Sequence, residues 1–377
     1  KKGYSAVCGG LDMKVAVIVT ACMGALLIIT RIAFALSPSA QQEQHLWQRA
    51  AAAQADFERH STMIDDRQLS AGLRGILTRL WTHVQTDLPL MAVKVVQAPE
   101  PDAVTYPNGV CYITTGMLAQ LRNEDQLAMV LAHELTHYVR RHALGALSTQ
   151  LESGSAENSR SDTHGDPIQY GYQAHASHLR MAAEREADQE GLRLVKAAGF
   201  DETRLIALLN DFREQPNETP VSANRRALAG DIAQKSTSRS LDTNTSYNTD
   251  PQYTALIASE LIANAKASLQ EGLWELAEHN LGDYLRVYPD DPRAHFLSGE
   301  VQRRQQNNDR LQMAIQSYQK AIELDQGYAP AYRQLGVVQF KMGNLTAARR
   351  HFRTYLSKTP QDKGSGYIKG YLKLCGN

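Results

Sequence analysis

The chain has 377 residues, with 40 lysines plus arginines against 40 aspartates plus glutamates and a formal net charge of zero. That balance excludes the basic footprint of a nucleic-acid binder and an acidic tail, while the length allows two folded domains with real cores. The four cysteines, Cys8, Cys22, Cys111 and Cys375, form no CxxC pair and no disulfide framework.

Residues 1–40 predict an N-terminal extension and signal peptide. Met13-Lys14 makes a short basic start, Val15 to Ile29 is an uncharged apolar run, and Ala33-Phe34-Ala35 is a small-x-small site with cleavage expected after Ala35. Met13 reads as the start of translation and residues 1–12 as upstream sequence. Two alternatives stay open: the run is retained as a membrane anchor with Arg31 snorkelling to the interface, or Val19-Thr20-Ala21-Cys22 is a lipoprotein site. Each places the rest of the chain across a membrane.

Residues 41–87 read as entry helices, with helical spacing in Leu69, Leu73, Ile76, Leu77 and Leu80. Leu90 to Val96 is a β-branched run that predicts a strand, stopped by Ala98-Pro-Glu-Pro-Asp102. Ala103 to Tyr106, the turn Pro107-Asn108-Gly109, and Val110 to Thr115 predict a β-hairpin. Its edge either pairs with an extended peptide or is ordinary sheet structure. Cys111 within it reads as a buried small apolar residue.

Asn123 then predicts an N-cap, followed by the acidic Glu124-Asp125 and by Gln126 in a pattern resembling a capping box. Leu127, Val130, Leu131, Leu135 and Val139 give a 3.6-residue stripe, and Arg140, Arg141 and His142 a cationic last turn. On this helix lies His133-Glu134-Leu-Thr-His137. Histidines at i and i+4 project from one face and can both bind one Zn²⁺, while Glu134 reaches a metal-bound water rather than the metal. His142, five residues beyond His137, turns to another face and reads as a solvated helix-end residue.

Residues 152–173 are polar and predict either a surface excursion or a lid beside the active site. His164, His175 and His178 near this stretch read as surface or satisfied histidines. The next helix carries Glu184-Arg-Glu-Ala-Asp188 and stops at Ala198-Gly199-Phe200. Zinc held by two imidazoles needs a third protein ligand, and Glu184 fits while leaving a position for water. Asp188, one turn on, can accept the free N–H of a liganding imidazole; Glu186 points elsewhere.

Lys235 onward is rich in Ser, Thr, Asn and Asp and predicts a linker over residues 235–252, between a metallopeptidase domain at 41–234 and a repeat domain at 253–377. The repeats are phased. Gly272, Trp274, Ala277, Leu281, Tyr284 and Pro289 mark one unit; Gly299, Ala314, Tyr318, Ala321 and Gln326 a second; Leu335-Gly336, Gly343, Ala348, Phe352 and Pro360 a third. Pro360 lies 34 residues after Gln326, the tetratricopeptide period, and residues 361–375 predict a capping helix. Such repeats present a concave surface to a partner chain.

The two ligand-bearing helices, with Pro101 to Val110 and Thr114-Thr-Gly-Met-Leu118, resemble the zinc metallopeptidase family of the CAAX-prenyl proteases and HtpX heat-shock proteases. With the repeats, the chain is similar to its BepA-type periplasmic subgroup. The resemblance spans about residues 60 to 230 and then the repeats. It implies a mainly α (α+β) fold: a zincin-type peptidase domain with a small β-hairpin or sheet, followed by a tetratricopeptide α-solenoid. It implies His133, His137 and Glu184 as ligands of one Zn²⁺ per chain, Glu134 as general base and acid, and Asp188 as support. One departure stands out: the family's Thr-His-Pro segment is here Glu218-Thr219-Pro220, which puts the role of that histidine in doubt, while Arg225 is kept as a transition-state contact.

The expected function is therefore a periplasmic zinc metalloendopeptidase acting on unfolded or misassembled proteins. By resemblance, its repeats would dock outer-membrane assembly machinery. The alternative is a repeat-based chaperone or scaffold with a gated or structural zinc site.

Overall fold

The computed structural model describes residues 40–143, 177–206, 250–361 and 364–376, with single positions 208, 228, 230 and 232. The expected leader, the polar segment 152–173, Thr219, Arg225 and most of the expected linker lie outside the described residues. Two helices lead in, α1 (Ala40–His60) and α2 (Arg67–Trp81). The five apolar residues that predicted α2 are all buried, and Asp66 caps it by accepting from Leu69 N at 2.9 Å.

Four strands, β1 (Met63–Ile64), β2 (Ala92–Val96), β3 (Ala103–Thr105) and β4 (Val110–Thr114), form one sheet in the order β1-β2-β4-β3. The expected hairpin is present. β3 and β4 pair antiparallel, and Gly109 takes the left-handed φ of 81° that the turn requires. β2 runs parallel to β4, from Ala92 opposite Val110 to Val96 opposite Thr114, which leaves β3 at the sheet edge. The last strand stops one residue short of expectation because Thr114 accepts from Met117 N and caps helix α3 (Thr115–Gln120). Cys111 is fully buried in β4, and burial pushes its thiol well above the ordinary range.

Helix α4 (Glu124–Val139) starts as predicted, with Asn123 Oδ1 accepting from Gln126 N at 3.0 Å. The Gln126 side chain accepts from Arg122 N at 2.8 Å, one residue before the cap. The helix is not one-sided as its stripe predicts: nearly every residue from Asp125 to Tyr138 is buried. Neighbours surround the helix, with α2, β3 and α5 (Ser177–Ala197) all packed on it. It also ends before the expected cationic last turn is complete, with Arg140 as its C-cap and Arg141 at φ 55°.

Beyond the linker come α6 (Pro251–Leu256), the paired helices α7 (Ala258–Glu271) and α8 (Trp274–Val287), α9 (Pro292–Arg304) and α10 (Asn308–Leu324), α11 (Ala329–Lys341) and α12 (Leu345–Lys358), and the capping α13 (Ser365–Leu374). Small residues let the pairs close as their phasing predicted. A Cβ on Gly299 would lie 2.5 Å from the Tyr318 ring, and one on Gly336 2.6 Å from Phe352. Among the described residues no helix is long and apolar enough to cross a membrane.

The repeats do not begin as a separate body. One apolar cluster runs from Leu69 of α2 through α4 to Val301 of α9. Tyr253 is buried and donates to Leu118 O at 2.8 Å, and α7 packs on α3. The expected boundary between residues 252 and 253 thus falls inside α6. Ile257→Ala, at a fully buried position of this shared core, is expected to cost about 2–5 kcal/mol. Calorimetry should show the peptidase region and the adjoining repeats shifting together rather than in separate transitions.

Candidate metal centre

The site depends on how closely α5 approaches α4. Gly191 sits at their crossing, where a Cβ would lie 3.2 Å from His133 N and 3.4 Å from Ala132 C. That approach carries Glu184 up to the two imidazoles. His133 Nε2 lies 3.0 Å from His137 Nε2 and 3.5 Å from Glu184 Oε2, and His137 Nε2 lies 3.8 Å from Glu184 Oε1. The three side chains are at most 15% exposed, and their donor atoms lie within 4.8 Å of one another. Ligands bound at about 2.0–2.2 Å around a tetrahedral zinc stand roughly 3.3–3.6 Å apart, so this donor set fits one such ion.

The remaining nitrogen of His133 is held by Asp188, whose Oδ1 lies 3.0 Å from Nδ1 and which is 1% exposed. Burial works against a charged His133, but Asp188 and Glu184 outweigh it and raise its pKa to about 10. The pocket therefore favours positive charge. Glu134 is buried beside it, next to Thr105 of β3, whose hydroxyl donates to Met91 Sδ at 3.8 Å. Burial drives the Glu134 carboxyl up to about 7, against the opposing pull of His133 and Thr105.

His133, Glu134 and His137 of one helix are thus brought together with Glu184 and Asp188 of another, while Arg225 and Thr219 lie outside the described residues. Two residues of the site depart from the sequence expectation. Thr105 carried no sequence signal, because only the packing of β3 on α4 sets it against Glu134. His142 is not solvated: its side chain is 14% exposed, Nδ1 lies 2.9 Å from His137 Nδ1, and Nε2 lies 3.3 Å from Glu186 Oε2. His142 would point outward only if the helix continued past Arg140. Arg141 instead turns the chain through a left-handed conformation, which arginine seldom adopts and sequence does not advertise. Glu186 is held away from the donors by Arg140, at 3.0 Å.

Two imidazoles and a carboxylate on crossing helices, joined to a helical-repeat domain, define the class as a metallopeptidase with tetratricopeptide repeats. The chain belongs to peptidase family M48, whose model matches residues 67–258. A TPR repeat model matches residues 309–343. A stretch of 49 residues is 43% identical to the mitochondrial metalloendopeptidase OMA1 of Schizosaccharomyces pombe; it covers 13% of this chain and 14% of that protein's length. Among solved structures, MamA is similar at 21% identity and a TM-score of 0.29, covering 42% of this chain and 84% of its own. The TPR2AB-domain:pHSP90 complex of yeast Sti1 is similar at 13% identity and a TM-score of 0.30, covering 70% and 100%.

Gly191→Val sets two methyl groups against the α4 backbone and is expected to cost about 1–3 kcal/mol. Gly75→Ala, an exposed helical position with nothing within 4 Å of the added carbon, is expected to leave stability unchanged or raise it by up to about 1 kcal/mol. Thermal unfolding of the two variants side by side measures both.

Proposed function

We propose that the protein is a periplasmic zinc-dependent endopeptidase of the BepA-like kind, cutting unfolded or misassembled outer-membrane proteins while its repeats dock assembly machinery. The observation that carries the peptidase part is the convergence of His133, His137 and Glu184 with Glu134 buried alongside. His133, His137 and Glu184 would hold the ion. Zinc, when bound, supplies Lewis acidity that polarises a carbonyl and makes water a nucleophile near neutral pH.

The chain's own groups do the rest. Glu134 takes a proton from the attacking water and returns it to the leaving amine, and the neighbouring Thr105 favours the ionised form of its carboxyl. Asp188 orients His133. β3 lies at the sheet edge and packs on α4, next to Glu134. Its pairing with β4 uses the main-chain groups of Asp102, Val104 and Tyr106, so those of Ala103 and Thr105 face the open edge. An extended peptide laid there gains main-chain hydrogen bonds without a required sequence, as suits unfolded substrates. A relative named as a metalloendopeptidase supports internal cleavage. The periplasmic location and the outer-membrane substrates rest on the leader pattern and the motif resemblance.

Glu134→Gln is expected to abolish cleavage of casein by the purified chain while zinc remains stoichiometric, because it removes the proton carrier and no ligand. His133→Ala is expected to lose both zinc and activity. Zinc retained by the histidine variant would defeat the ligand assignment; zinc bound to an unaltered chain that cuts nothing would favour a scaffold.

A further inference from the structure

Both imidazoles of the site have their second nitrogen occupied, but by different kinds of partner. For His133 it is the carboxylate of Asp188. For His137 it is another imidazole, that of His142, with ring centroids 4.8 Å apart and planes at 79°. His142 is delivered from outside the helix by the left-handed turn at Arg141 and is clamped from behind by Glu186, itself paired with Arg140.

We propose that His142 is a positioning residue for His137, fixing its tautomer and ring orientation through the relay His137–His142–Glu186. The inference rests on the zinc reading above. If His137 offers Nε2 to the ion, its proton must reside on Nδ1. That N–H donates to His142 Nδ1 at 2.9 Å, which leaves the His142 proton on Nε2, where it donates to Glu186 Oε2 at 3.3 Å. Every donor in the relay meets an acceptor, and the chain ends on the Arg140 ion pair. The donor atoms that lie within 4.8 Å of one another belong to His133, His137 and Glu184, and His142 is not among them.

The relay also explains a costly local conformation. A non-glycine residue at positive φ is sterically disfavoured, and without that turn His142 would not come back to the site. Glu186, exposed and too far from the donors to ligate, gains a role as the acceptor that sets the His142 tautomer.

The test is zinc affinity of the full-length chain, measured by chelator competition on metal-stripped protein, with unfolding midpoints of the metal-free forms as the folding control. His142→Phe keeps an aromatic ring but removes the acceptor, and should weaken zinc binding by about 10–100-fold. His142→Gln presents a carbonyl to His137 and an amide to Glu186, and should restore most of that loss. Unchanged affinity in His142→Phe, or equal losses in both variants, would overturn the relay. Should His142→Phe fail to fold, Glu186→Ala at its exposed position decides: a several-fold loss supports the relay and unchanged affinity overturns it. Failure of the unaltered chain to bind zinc would be a different result, defeating the metal reading and this proposal with it.

Discussion

Three carboxylates, Glu134, Glu184 and Asp188, are drawn into the interior beside two imidazoles, and burying that much negative charge is the constraint on which the rest of the structure depends. An uncompensated buried ion costs several kcal/mol, so such a cluster persists only where positive charge answers it. In the isolated chain that answer is protonation, visible in the raised pKa of His133, and a divalent cation answers it more fully. The contacts to Asp188 and His142 then hold the two imidazoles in one orientation.

The architecture around the site serves that constraint. Helix α4 is buried on every side, so its imidazoles cannot escape to water, and α5 delivers Glu184 and Asp188 only because Gly191 lets the two backbones come together. β3 closes the remaining side and contributes Thr105. The repeats are part of the same construction: α7 packs on α3, Thr115 donates to Asn264 at 3.2 Å, and one apolar cluster spans both regions. A repeat domain joined through a shared core, rather than by a bare tether, holds its surface at a set position relative to the site.

The middle repeat shows the same economy of local rules. Gly272 and Gly343 take left-handed turns between the paired helices of the first and third repeats, and Gln306 takes that conformation in the second. Its Asn307 cap, accepting from Arg310 N at 2.8 Å, restarts the helix immediately afterwards. The small-on-aromatic contacts at Gly299 and Gly336 keep the pairs in register despite that difference.

Much of this was legible in the sequence, for a physical reason. Helix periodicity, caps, the Asn-Gly turn and the phased small residues of the repeats are local patterns, and His133, Glu134 and His137 share one helix whose geometry fixes their spacing. Glu184 and Asp188 were reachable because metal chemistry demands a third ligand and an orienting acceptor. What only the tertiary structure decided lies between elements or at irregular backbone. The parallel pairing of β2 with β4, Thr105 against Glu134, and the core shared by α6, α7 and the peptidase region each join segments that no local pattern connects. The placement of His142 turned on a single left-handed arginine. Sequence determined which groups could meet a metal; packing decided how each of them is held.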